Sequence, residues 1–150
     1  MAGDYFAGPR PRIFGHRGAA GVAPENTLAS FQRALDDGAE ILELDVHATR
    51  DGEVVVIHDP TVDRTTDGHG AVRDLTLADL GRLDAGHAFL RDGGFPFRGS
   101  GIRVPTLAEV IDEFPTVPLN VEIKQREPEI EAVVAALVAR RGAMKRVMLA

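Results

Sequence analysis

The chain contains no cysteine. That removes disulfides and thiolate metal sites together, so any metal would have to sit on oxygen or nitrogen ligands. It also agrees with a cytoplasmic setting. No apolar run approaches the roughly 20 residues that a membrane span needs; the longest, Ala132 to Ala139, lies on an amphipathic helical pattern. Met1 to Pro11 lacks the apolar core of a signal peptide, and its Gly3, Gly8, Pro9 and Pro11 predict a flexible leader over residues 1–11. Basic residues form no stripe, and with a net charge of -6 the chain has no general attraction to nucleic acid phosphates or anionic membranes. Internal repeats and low-complexity segments are missing too. What is present is ordinary for a soluble globular protein: 150 residues, 44% hydrophobic and 27% charged, enough for one domain with its own core.

The most informative stretch is Ile41 to Asp59. Leu42, Leu44 and Val46 alternate with Glu43, Asp45 and His47, the period of a strand with one oily face and one face of acids and imidazole. A short turn at Arg50, Asp51 and Gly52 leads to Val54–Ile57, a β-branched run that predicts a buried strand ending at His58 and Asp59. Unpartnered buried carboxylates are costly, so such a face belongs to a metal site or an ion-pair network.

Around this stretch the chain alternates strands and helices. Arg12-Ile13-Phe14 predicts a strand running into Gly15-His16-Arg17-Gly18. Asn26 or Thr27 then caps a helix with the stripe Leu28, Phe31 and Leu35, stopped by Gly38. Pro60 to Pro118 is too long for a simple crossover and predicts an excursion. Thr76 to Asp79 and Thr106 to Glu109 have the form of capping boxes, opening helices that extend to Leu83 and Phe114. The glycine-rich stretch Gly86 to Gly101 carries Phe89, Phe95 and Phe97, and reads either as a surface loop packed by its own aromatics or as a flap over a substrate site. Leu119, Val121 and Ile123 repeat the strand alternation against Asn120, Glu122 and Lys124; Glu127 to Arg141 predicts an amphipathic helix, and Arg146 to Leu149 a fifth strand. Strands joined by helices imply a parallel sheet, with the polar positions gathered at the C-terminal strand ends where (β/α) barrels place their sites.

Glu43, Asp45 and Glu122 could meet around one hard cation, Mg²⁺ or Ca²⁺, or could be acids of a solvated sheet face. His16 and His58 reach the same end of the sheet and suit general acid and base work, or are structural histidines. His47 is left unassigned, and His69 and His87 read as surface residues. Arg17 and Lys124 could grip a phosphate, or could bridge to the acids with no substrate involved. Together these groups describe a site for cutting a phosphate ester.

His16-Arg17-Gly18, Pro24-Glu25-Asn26-Thr27, Glu43-x-Asp45, His58-Asp59, Pro105-Thr106-Leu107 and Glu122-Ile123-Lys124, in this order, closely resemble the glycerophosphodiester phosphodiesterases. The resemblance implies an α/β (β/α)8 TIM barrel, here truncated after about five strands, with the small insertion at about 60–104 between strands 3 and 4. It implies that Glu43, Asp45 and Glu122 bind one divalent cation, Mg²⁺ or Ca²⁺, that His16 and His58 are the acid/base pair, and that Arg17 and Lys124 contact the phosphate. The implied reaction forms a cyclic phosphate and opens it with water, giving sn-glycerol 3-phosphate and an alcohol such as choline. Two other readings are a lysophospholipase D-type lipid phosphodiesterase, marked by an apolar groove near Phe89, Phe95 and Phe97, and an inactive metal-binding fragment that completes its barrel as a homo-oligomer.

Overall fold

The structure is a computed structural model that describes residues 4–8 and 10–150. Its elements follow the order β1 (Phe14–His16), α1 (Leu28–Asp36), β2 (Ile41–Ala48), β3 (Val54–Val56), α2 (Leu77–Leu80), α3 (Leu107–Glu113), β4 (Leu119–Ile123), α4 (Glu131–Arg140) and β5 (Val147–Leu149). Four strands run parallel in the order β1-β2-β4-β5, while β3 folds back antiparallel onto the second half of β2, pairing Val56 with Val46 and Val54 with Ala48. The tight turn at Arg50–Gly52 leaves no room for a crossover helix, so the third strand is a hairpin partner and not a fifth parallel strand.

The parallel sheet has an oily side and a polar side. Leu42, Leu44, Val46, Leu119 and Val121 join Phe31 and Ala34 of α1, Leu107, Val110 and Ile111 of α3, and Val134 and Val138 of α4 in one buried cluster. Each fully buried aliphatic side chain there contributes about 1.5–3 kcal/mol. All three long helices therefore cover the same face, as in the wall of a (β/α) barrel; a doubly wound sheet would have helices on both. A second cluster, Val55, Ile57, Val62, Val72, Leu80, Ala85 and Val104, packs the excursion on the hairpin.

Local chemistry sets the helix ends. The Thr27 hydroxyl accepts the Ser30 N–H (3.2 Å) and donates to the Pro24 carbonyl (2.7 Å), capping α1. At its other end Gly38, at φ 97°, lets its own N–H reach the Leu35 carbonyl and that of Ala39 the Ala34 carbonyl. Both expected capping boxes form, Thr76 with Asp79 and Thr106 with Glu109. The C-terminus of α3 is closed from a distance: the buried Arg146 guanidinium donates to the carbonyls of Ile111 (2.9 Å), Phe114 (3.1 Å) and Val117 (2.8 Å).

Several boundaries differ from the sequence reading. Pairing in β1 starts at Phe14, and α2 ends at Leu80. The helix expected from Glu127 starts at Glu131, because the Gln125 amide donates to the Pro128 carbonyl (3.0 Å) and holds residues 126–129 in turns. Residues 1–3 and Pro9 of the expected leader lie outside the described residues; Tyr5, within it, donates its N–H to the Lys145 carbonyl at 2.9 Å.

Candidate metal and acid–base site

The register of the sheet assembles the polar face. His16 on β1 pairs with Glu43 on β2, and Asp45 on β2 pairs with Glu122 on β4. Residues in register share a face, so the carboxylates of Glu43, Asp45 and Glu122 converge, each offering an oxygen within 4.8 Å of the others. Glu43 and Asp45 are buried and Glu122 is partly exposed. Among the described residues no other group of three acids or histidines meets in this way.

Burial pushes the Glu43 carboxyl up, aided by the charges of Asp45 and Glu122, while a hydrogen bond from the Arg17 backbone N–H (2.9 Å) opposes the rise. Asp45 is 1% exposed; its Oδ2 accepts from the Asn26 amide at 2.9 Å, and its buried Oδ1 has no hydrogen-bond partner. A buried anionic oxygen that meets only the Lys124 ammonium, at 3.5 Å, in a cluster with two further carboxylates fits an oxygen-ligated divalent cation.

The cations of the site sit on the acids. Lys124 lies 2.6 Å from Glu122 and 3.5 Å from Asp45, and its hydrogen bond pulls the Glu122 carboxyl down as Glu122 pushes the ammonium up. Arg17 reaches Asp45 (3.4 Å) and Glu25 (3.2 Å). Arg17 has φ 55° and Gly18 has φ 81°, and a Cβ on Gly18 would fall 2.4 Å from the Ser30 hydroxyl. The loop after β1 can therefore close on α1 only with glycine at 18.

The two candidate proton carriers differ in setting. The His16 side chain is 72% exposed, with Nε2 3.9 Å from Glu43. His58 follows β3 and is held through Nδ1 to Asp59 at 2.7 Å. His47, on the same face of β2, is spent on structure: Nε2 meets the His58 carbonyl at 3.0 Å, and burial pulls its pKa down. His69 is exposed and His87 half-buried.

Four further residues, Glu25, Asn26, Asp59 and Arg64, belong to the site without being marked as such by sequence reasoning, although the first three stand in matched motifs. Asn26, at φ 57°, braces Asp45 from the loop after β1. Arg64, in the excursion, bridges Glu25 and Asp59. The glycine-rich loop packs by its own aromatics, with Phe89 edge-on to Phe97 at 5.4 Å and the Arg98 guanidinium 3.7 Å above the Phe95 ring. Its Ala88, Phe89 and Leu90 also form one side of a cleft of about 140 Å³ against Pro24, Glu25 and Arg64.

The profile of the glycerophosphoryl diester phosphodiesterase family matches residues 16–148. A glycerophosphodiester phosphodiesterase of Caldanaerobacter subterraneus is 48% identical over 75% of this chain and 44% of its own length. The lysophospholipase D of Homo sapiens is 40% identical over 83% of this chain and 40% of its own length. The crystal structure of a glycerophosphodiester phosphodiesterase from Agrobacterium tumefaciens superposes with a TM-score of 0.82 at 38% identity, over 93% of this chain and 57% of that one. An Oleispira antarctica phosphodiesterase, solved with its product sn-glycerol-3-phosphate, superposes with a TM-score of 0.74 at 36% identity, over 87% of this chain and 53% of that one. The chain thus spans about half the length of these relatives. The profile match over residues 16–148, the 48% identity to the Caldanaerobacter enzyme and the superposition on the Agrobacterium one show that the chain belongs to the glycerophosphoryl diester phosphodiesterase family.

Proposed function

We propose that this chain carries the catalytic groups for divalent-cation-dependent hydrolysis of glycerophosphodiesters to sn-glycerol 3-phosphate and an alcohol. The observation that carries the reading is the convergence of the Glu43, Asp45 and Glu122 carboxylates on one sheet face, with His16 Nε2 3.9 Å from Glu43 and His58 directly after β3. The three carboxylates would hold Mg²⁺ or Ca²⁺. When bound, the cation supplies positive charge that stabilises an ionised hydroxyl and the developing charge on phosphate.

The chain's own residues do the rest. His58, with Nδ1 engaged by Asp59, keeps Nε2 for proton transfer, and the exposed His16 can serve the opposite oxygen. One removes the proton of the attacking glycerol hydroxyl and the other protonates the departing alcohol; water then opens the resulting cyclic phosphate, the two histidines exchanging roles, to give sn-glycerol 3-phosphate. Arg17 and Lys124 neutralise the acids in the structure, and both can turn to phosphate oxygens, Arg17 by paired hydrogen bonds and Lys124 as a point charge.

No helix among the described residues is long and apolar enough to cross a membrane. A chain without cysteine accords with a reducing compartment, and we assign the reaction to the cytoplasm and to small diffusible substrates. The cleft beside Leu90, which is 62% exposed, favours a second reading in which the alcohol bears an acyl chain.

The test is release of sn-glycerol 3-phosphate from glycerophosphocholine, and of choline from lysophosphatidylcholine, with Mg²⁺, Ca²⁺ or a chelator. Cation-dependent turnover of the first substrate, lost in both His16→Ala and His58→Ala, is the expected result. Turnover of only the second would move the assignment to the lipid. Turnover that survives chelation, or survives in both variants, would refute the metal and acid/base roles, and no turnover of either substrate would refute the activity of this chain. A mass that rises with concentration would show a second copy contributing.

A further inference from the structure

Arg64 belongs to the excursion, outside the motifs that mark the site, yet its guanidinium is committed to two of the site's acids. Nε donates to Asp59 Oδ2 at 2.7 Å and Nη2 to Asp59 Oδ1 at 3.0 Å. Nη1 donates to Glu25 Oε2 at 2.9 Å and Nη2 to Glu25 Oε1 at 2.8 Å. Each acid is held by a two-bond fork, an arrangement open to a planar guanidinium and closed to an ammonium. Asp59 Oδ1 in turn meets His58 Nδ1 at 2.7 Å, and Glu25 receives Arg17 as well, at 3.2 Å. One side chain therefore ties the loop after β1, which carries Arg17 and follows directly on His16, to the loop after β3, which carries His58.

Building on the reading of His58 as a proton carrier, we infer that Arg64 is a positioning residue that fixes the tautomer and aim of His58 through Asp59. An ionised carboxylate can only accept, so the Nδ1 contact requires the proton to sit on Nδ1. The hydrogen bonds from Arg64 hold Asp59 ionised, well below the usual carboxylate range. The neutral imidazole then carries its lone pair on Nε2. Without the guanidinium, Glu25 and Asp59 would repel across the gap it fills, and Asp59 would be free to turn away from Nδ1.

The experiment compares wild type with Arg64→Lys and Arg64→Ala by ¹⁵N NMR of histidine-labelled protein, alongside kcat and KM on glycerophosphocholine. Wild-type His58 should be almost wholly in the Nδ1–H form when neutral. Arg64→Lys, which keeps the charge and loses the forks, should move it to a mixture of tautomers while the resonances of His16 and of the core amides stay in place. In the same variant kcat should fall about ten- to a hundredfold, the range for partners one layer out from a reacting group, with KM little changed. An unchanged tautomer in both variants would overturn the inference, as would a fall in kcat without a tautomer change, or a rise in KM with kcat intact. Should Arg64→Ala fail to fold, Arg64→Lys decides. Absence of turnover in the wild type would refute the proposed activity, whereas the tautomer comparison would still settle what Arg64 does.

Discussion

Replacing Glu122 by Gln should weaken divalent-cation binding by at least about tenfold and roughly halve the thermal stabilisation that the cation confers. The ligand oxygens of Glu43, Asp45 and Glu122 lie within 4.8 Å of one another. Two unit charges at that distance repel by about 3.5 kcal/mol at an effective dielectric constant of about 20. Lys124 offsets part of this, from 2.6 Å on Glu122 and 3.5 Å on Asp45. A divalent cation turns the mutual repulsion into three attractions; glutamine keeps the ligand oxygen and the shape but withdraws one of the three charges. A tenfold loss is only about 1.4 kcal/mol, well inside the worth of one such charge pair.

At one hundred times its dissociation constant, a ligand stabilises the folded chain by about 2.7 kcal/mol; the same concentration acting on a tenfold weaker site gives about 1.4 kcal/mol. For a domain of this size the melting temperature should therefore rise by about 5–11 °C in the wild type and about 3–6 °C in Glu122→Gln. The assay is a thermal melt over a series of Mg²⁺ and then Ca²⁺ concentrations. Without cation the two proteins should melt within a few degrees of each other, since Glu122 is 44% exposed and its ion pair with Lys124 is worth about 0–1 kcal/mol. Equal cation-induced shifts in both proteins would refute the ligand role of Glu122, and no shift in the wild type would refute the site.

Gly18→Ala should lose about 2–4 kcal/mol in urea unfolding, because the residue sits at φ 81° and its new Cβ would lie 2.6 Å from the Ser30 carbonyl carbon. Arg146→Met should cost about 3 kcal/mol or more by the same measurement, leaving the carbonyls of Ile111, Phe114 and Val117 without their donor, whereas Arg141→Gln, on the surface beside Asp112, should cost less than about 1 kcal/mol. Glu109 has its pKa lowered from 4.5 to about 2, first by its hydrogen bonds with Arg103. Since the folded value lies below the unfolded one, its stabilisation is complete above pH 4.5 and fades as pH falls toward about 2. Glu109→Gln should flatten that part of the curve of urea midpoint against pH; an unaltered slope would refute the pairing of Glu109 with Arg103 as its source.

Features that depend on near neighbours are legible in the amino-acid sequence alone. Alternation from Ile41 to Ala48 and from Leu119 to Ile123 puts the three carboxylates on one face, and the two capping boxes announce α2 and α3, because those contacts span two or three residues. Other features hang on contacts that composition and spacing leave unmarked. Arg64 finds Glu25 across 39 residues, Asn26 finds Asp45 across 19, and Arg146 finds Ile111 across 35. The direction of β3 is half legible: the turn is too short for a crossover, yet the β-branched run looks the same in either orientation. The apolar pattern of α4 extends from Ile130, but a side-chain bond from Gln125 to Pro128 holds the preceding residues in turns.

The pairing of β2 would hold two of the candidate ligands in place before a cation arrives. Its one edge is shared by β1 at Ile41–Glu43 and β3 at Val46–Ala48, and its other edge is taken by β4 from Leu42 to Val46. Amides of β2 should therefore be among the slowest in the chain to exchange with deuterium, since releasing them requires parting three strands at once. Glu43 and Asp45 ride on this locked strand, so as ligands of the proposed cation their ordering entropy would be spent when the chain folds, ahead of ion binding. Glu122 projects from β4 with nearly half its side chain in water. In the proposed cation site it would be the adjustable third arm, the position from which ion-size preference could be retuned without disturbing the scaffold.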